Sequence, residues 1–141
     1  MKTRKQRLKH YVLDSFAALV LFGDERGAIR VEEILRQAET GEVQVAMSLI
    51  NLGEIVYIIE RRWGPEKLRS MLAYLEEAPL SVVEANKDRV LEAAHIKAYY
   101  PLAYADAFAI ALARELNAIL LTGDKEFQAV SNLVSIEWLE K

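Results

Sequence analysis

The chain is 141 residues long, 52% hydrophobic and 28% charged, which excludes intrinsic disorder and gives enough chain for one domain with a sizeable core. The net charge of −3 gives no overall reason to expect a nucleic-acid partner, and the absence of cysteine excludes disulfides and thiolate chemistry. The charge is uneven, because residues 1–10, MKTRKQRLKH, hold five of the 18 Lys and Arg and no acid, leaving 13 basic against 21 acidic residues elsewhere. A basic arm over 1–9 therefore precedes an acidic domain over 10–141.

The elements alternate along the chain. HYVLDSF is a short apolar run that predicts a strand ending at Asp14, with Ser15 placed to cap a helix through FAALVLF. A basic stretch before an apolar run has the outline of a signal peptide, but Asp14 interrupts it and no small-x-small site follows. No uncharged run reaches the length of a membrane span, so a cytoplasmic protein without a membrane partner is expected. Residues 27–40 predict a second helix with Ile29, Val31, Ile34, Leu35 and Ala38 inward and Gly41 as its stop. EVQVAMS predicts a strand, and Ser48 then caps the long helix LINLGEIVYIIERRW, which ends at Gly64 and Pro65. Pro65 opens another helix through Glu77.

PLSVVEA predicts a third strand, and NKDRVLEAAHIKAYY a helix whose Val90, Leu91, Ala94 and Ala98 form one face. The following helix is apolar from Leu102 to Ala113 except at Asp106, and a helix apolar on nearly all sides is buried. NAILLTGD predicts a buried strand running into a glycine turn, KEFQAV a helical turn, and LVSIEWLE a last strand. Alternating strands and helices of this kind predict an α/β three-layer sandwich with a mainly parallel central sheet of about five strands, because parallel strands need crossovers that cover both faces. Tyr11, Tyr57, Trp63, Tyr74, Tyr99, Tyr100 and Tyr104 are assigned to the core or to an interface, and His10 and His95 to structural or solvated roles.

The chemistry lies in the acids. The sequence has 16 Glu but only five Asp, and three of the five stand in apolar surroundings: Asp14 ends a strand, Asp124 follows AILL through Thr122 and Gly123, and Asp106 is alone in its helix. Glu54 joins them as the only charge between Glu42 and Glu60. Each admits a purely structural explanation. Asp14 and Asp124 suit helix N-caps, Asp106 suits the positive end of a helix dipole, and Glu54 can reach Arg61 or solvent. All four can also converge beyond the carboxyl ends of parallel strands, where ligands gather at a switch point in strand order. Several carboxylates at one low-dielectric spot need shifted pKa values or a cation, and a set of oxygen ligands without His or Cys suits Mg²⁺ or Mn²⁺.

These positions resemble the PIN-domain ribonucleases, and among them the VapC-type toxins of toxin-antitoxin pairs. The resemblance spans about residues 10–140 and rests on YVLDSF, SLINLGEI, LAYADAFAIALARELNAILLTGDKEF and VSIEW. It implies a metal-dependent endoribonuclease in which Asp14, Glu54, Asp106 and Asp124 bind one or two Mg²⁺ or Mn²⁺ ions, supported by Thr122 and Ser15. Glu126, inside the T-G-D-x-[DE]-F pattern, is a peripheral candidate. The resemblance also implies an RNA substrate, a homodimer and a small antitoxin partner. Lys125, Arg61 and Arg62 are either RNA-backbone contacts or ordinary solvated cations, and the arm over 1–9 is either an RNA contact or a solvated tail.

Two other readings compete. An RNA-processing nuclease of the same family outside any toxin pair, or a catalytically silent PIN-like binding module, would share the fold; the intact set of four acids argues against the silent module. A different phosphohydrolase is disfavoured, since LDSF lacks a second Asp two residues after Asp14, and no phosphate-binding glycine loop, G-x-S-x-G or H-E-x-x-H motif occurs.

Overall fold

The computed structural model describes residues 8–23 and 25–139. Residues 1–7, which make up most of the predicted basic arm, lie outside the described residues, and Lys9 already belongs to the first strand. In chain order the elements are β1 (Lys9–Leu13), α1 (Ser15–Gly23), α2 (Ala28–Glu39), β2 (Val43–Ser48), α3 (Leu49–Trp63), α4 (Pro65–Glu77), β3 (Ser81–Val83), α5 (Lys87–Tyr99), α6 (Tyr104–Leu116), β4 (Ile119–Thr122), a 3₁₀ helix (Lys125–Val130) and β5 (Ser135–Trp138). All neighbouring strands are parallel, in the order β3-β2-β1-β4-β5. The chain runs from β1 outward through β2 to β3, then returns to the other side of β1 for β4 and β5. β1 and β4 therefore flank the point where the strand order reverses.

Strand residues alternate between two cores, as a period of two requires. Val12, Ala46 and Leu120 face α6 and Ile96 of α5, while Tyr11, Leu13, Val45 and Leu121 face Val31, Ile34 and Leu35 of α2. A third apolar cluster joins Ala18 of α1 and Met47 of β2 to Ile55 and Ile59 of α3 and Met71 of α4. α6 is buried from Ala107 through Ala113 because it is enclosed by β1, β2, β4, α3 and α5, and its alanines let these neighbours approach closely. Between α3 and α4 the chain reverses at Gly64, whose φ of +94° suits only glycine at low cost, and Pro65 then starts α4 with its missing N–H at an N-terminal position.

Two sequence expectations about burial, on α5 and α2, are corrected, and the aromatics divide between core and surface. On α5 the buried residues are Ala93 and Ile96, not the predicted stripe through Leu91, which is 57% exposed. Two apolar stripes lie side by side on this helix, and α6 takes the one where small Ala93 permits close contact and Ile96 fills the gap. On α2, Ile29 is exposed and Ala28 takes its place in the core. Of the seven aromatics assigned to core or interface, only Tyr11 is fully buried; Tyr57, Trp63, Tyr74, Tyr99 and Tyr104 are exposed on helices. No described helix is long and apolar enough to cross a membrane.

Candidate metal centre

β1 delivers Asp14 to the carboxyl edge of the sheet, where it is 1% exposed. Its Oδ1 accepts from the backbone N–H of Ala17 at 2.8 Å, so Asp14 caps α1, the role the sequence also offered to Ser15. Ser15 is instead the first residue of α1, and its hydroxyl donates to Glu54 Oε1 at 2.5 Å. The other oxygen of Asp14 accepts from the Thr122 hydroxyl at 2.5 Å. Thr122, the last residue of adjacent β4, is fully buried, and its Oγ1 in turn accepts from the Asp124 backbone N–H at 3.0 Å. One hydroxyl thus ties the two strand-end acids together.

Asp124 caps the 3₁₀ helix, accepting from the Glu126 N–H at 3.0 Å. The Gly123 between Thr122 and Asp124 is required by a close approach: a Cβ there would lie 2.4 Å from Cε1 of Phe16. Gly123→Ala must push that ring aside and is expected to destabilise the fold by roughly 1–3 kcal/mol, the scale of overpacking. Thermal unfolding checks this; an unchanged melting temperature would show that the ring moves freely.

Helices supply the remaining acids. Asp106 is in the first turn of α6, with its carboxylate toward the positive end of the helix dipole and accepting no hydrogen bond among the described residues. Glu54 lies in the second turn of α3, one turn after Asn51, and Ser48 caps that helix by accepting from Ile50 N–H. No ion pair joins Glu54 to Arg61 among the described residues; Arg61 instead lies over the Tyr57 ring, 5.7 Å from its centroid.

Asp106, Asp124 and Glu126 each offer a carboxylate oxygen, and the three oxygens lie within 4.8 Å of one another. Burial pushes the Asp14 carboxyl up to about 7, against the Thr122 and Ala17 hydrogen bonds, with repulsion from Asp106 and Asp124 adding to the rise. Partial burial also pushes Asp106 up to about 7, helped by repulsion from Asp124, Glu54 and Glu126. All five acids therefore belong to one electrostatically coupled group, and the candidate ranked as peripheral, Glu126, stands in its closest trio. Both structural explanations for the caps hold as well, since Asp14 and Asp124 do cap helices while facing the group. The exposed cations are placed differently. Lys125 is exposed beside the group, whereas Arg61 and Arg62 end α3, seven and eight residues beyond Glu54 or about 10–12 Å along the helix.

One participant escaped the sequence reading. Asn51 is fully buried, and its Nδ2 donates to Ser15 Oγ at 3.2 Å and to the Ala105 carbonyl at 3.1 Å. The signal was present: an Asn amid Leu49, Ile50 and Leu52, three residues before Glu54 and so on the same helical face. A cleft of about 600 Å³ between α1, α2 and α4, lined by Phe22, Met71 and Tyr74 among others, includes none of these five acids. Charge convergence, not cavity size, marks the site.

Comparisons with known proteins bear on the family and the fold. The family model described as PIN domain matches residues 11–133. No curated protein matches the chain significantly in sequence. Among solved structures, VapBC2 from Rickettsia felis bound to a promoter DNA fragment is similar with a TM-score of 0.75 at 15% identity, covering 93% of this chain and 99% of that one. DNA-bound VapBC from Salmonella typhimurium gives 0.73 at 20% identity, covering 93% and 98%. VapC20 from Mycobacterium tuberculosis, described as a Sarcin-Ricin loop cleaving toxin, gives 0.69 at 17% identity, covering 85% and 94%. The family match over most of the chain, the shared all-parallel fold and the acids gathered where β1 and β4 part lead to one conclusion: the chain belongs to the PIN-domain family.

Proposed function

We propose that the chain is a Mg²⁺- or Mn²⁺-dependent endoribonuclease and the toxin of a toxin-antitoxin pair. The observation that carries this reading is the gathering of Asp14, Glu54, Asp106, Asp124 and Glu126 at the switch point between β1 and β4. No Lys or Arg among the described residues forms an ion pair with Asp14, Asp106 or Asp124, so no described cation neutralises them by direct pairing. Their donors are hard carboxylate oxygens. An octahedral Mg²⁺ spans about 4 Å between opposite ligands, so the trio within 4.8 Å needs only a small contraction to hold one.

Asp106, Asp124 and Glu126 would hold the ion, with Asp14 and Glu54 completing one or two sites. When bound, such an ion supplies Lewis acidity toward a phosphodiester oxygen and acidifies water. The remaining work falls to the protein. Thr122 and the Ala17 N–H fix both oxygens of Asp14, Ser15 fixes Glu54, and the capped 3₁₀ helix holds Asp124 and Glu126 in one frame. Neither histidine is needed as a base: His10 lies in β1 and His95 packs edge-on against Tyr99. Lys125, Arg61 and Arg62 are offered as contacts to the RNA backbone. The similarity to VapBC complexes supports an antitoxin partner, and the homodimer, the cytoplasmic location and the single nuclease domain over 10–141 belong to the same reading.

The test is direct. Incubated with total RNA, the purified protein is expected to cut only with added Mg²⁺ or Mn²⁺ and to stop with EDTA. Folded protein that leaves RNA intact at saturating metal would overturn the nuclease assignment in favour of a silent binding module.

A further inference from the structure

Asn51 is fully buried, and one end of its amide is better provided for than the other. Nδ2 has two acceptors, Ser15 Oγ and the Ala105 carbonyl, whereas Oδ1 is buried with no hydrogen-bond partner. The orientation of the amide is fixed, because turning it over would set Oδ1 against the Ala105 carbonyl oxygen and repel it. The amide nitrogen can only donate, so Ser15 Oγ must accept from it. The single hydroxyl hydrogen of Ser15 is then free for one strong bond. It goes to Glu54 Oε1 at 2.5 Å, within the range for a hydroxyl on a carboxylate, and not to the backbone carbonyl of Asn51 at 3.5 Å.

We propose that Asn51 is the positioning residue of the metal site, aiming the Ser15 hydroxyl at Glu54 and, through the Ala105 carbonyl, setting the α6 turn that carries Asp106. Three elements meet on this one amide. Ser15 follows Asp14 on α1, Glu54 is one turn along α3, and Ala105 precedes Asp106 on α6. Both donors of the amide are directed at the groups that carry Glu54 and Asp106, while its Oδ1 has no hydrogen-bond partner among the described residues. The inference rests on the metal-site reading above and extends it to a residue that touches neither ion nor substrate.

The experiment measures Mn²⁺ affinity by electron paramagnetic resonance and thermal stability without metal, in wild type, Asn51→Leu, Ser15→Ala and the double variant, with Asp106→Asn as the control. Asn51→Leu gives up two buried hydrogen bonds and is expected to melt below wild type, and the folded variant to bind Mn²⁺ some 10–100-fold more weakly, the scale for residues that orient metal ligands. The double variant is expected to lose no more than the larger single loss, because both changes break one relay. Wild-type affinity in Asn51→Leu, or losses that add, would overturn the positioning role. If Asn51→Leu fails to fold, Asn51→Ala decides: weakened binding that adding Ser15→Ala does not deepen supports the relay, and wild-type binding overturns it. Failure of the underlying reading looks different, since Mn²⁺ would then bind wild type no better than Asp106→Asn.

Discussion

Asp106→Asn is expected to lower RNA cleavage by about 10²–10³-fold, the scale on which loss of one preorganised electrostatic group lowers turnover. The same change should make the metal-free protein more stable at neutral pH. These opposite signs follow from one cause. The amide has nearly the shape of the carboxylate but no charge, so it would remove both the proposed metal ligand and the repulsion that Asp124, Glu54 and Glu126 exert at this position. A purely structural aspartate in the first turn of α6 would behave otherwise, because losing its favourable interaction with the helix dipole would reduce stability and leave activity unchanged. Cleavage assays and metal-free melting curves on the same preparation separate the two, and equal cleavage by wild type and variant would overturn the catalytic assignment.

The second large effect concerns pH and metal together. Asp14 and Asp106 titrate near 7 in the folded protein and near 4 in an unfolded chain. Between about pH 4 and 7 the folded state therefore keeps protons that the unfolded state has released, and metal-free stability must fall as pH rises through that window. Fully buried Asp14 alone accounts for a loss on the order of 2–4 kcal/mol. The carboxylates with the opposite behaviour, Glu115 beside Arg89 and Glu137 beside Arg30, are held below the usual range and so change stability at lower pH, outside the window. Saturating Mn²⁺ at pH 8 is expected to reverse the loss and raise the melting temperature by roughly 5–10 °C, as follows from ligand at about 100 times its Kd. The rise should vanish at pH 5, where protons compete with metal. Asp14→Asn should flatten the metal-free pH profile. A melting temperature indifferent to metal at pH 8 would show that the ion does not relieve carboxylate repulsion.

Much of this was readable along the chain. Alternating apolar strands and amphipathic helices specify a parallel sheet, and the structure has five parallel strands in the places the apolar runs indicated. Asp14, Glu54, Asp106 and Asp124 stood out because each is a charge in an apolar neighbourhood, where desolvation makes an unneeded carboxylate expensive. Burial on single helices was less legible. On α5 the stripes through Leu91 and through Ile96 are both apolar, and which one turns inward depends on the shape of α6, a surface absent from local periodicity. Exposed Tyr57 and Trp63 make the same point, since an aromatic at helical spacing says how large a contact it can form but not whether a neighbour is there to receive it.

By itself the sequence determined the α/β class, the order of the elements and which acids stand out as candidates for the site, because periodicity, caps and isolated charges are properties of short stretches. Only the tertiary structure decided how those acids are held. Thr122 linking Asp14 to Asp124, Glu126 joining Asp106 and Asp124, and Asn51 joining α1, α3 and α6 are contacts between strands and helices or across a turn, and no spacing encodes them. Hydrogen bonds need angstrom precision in three dimensions, and that precision comes from the sheet order that sets β1 beside β4 and from the packing of α3 and α6 around them.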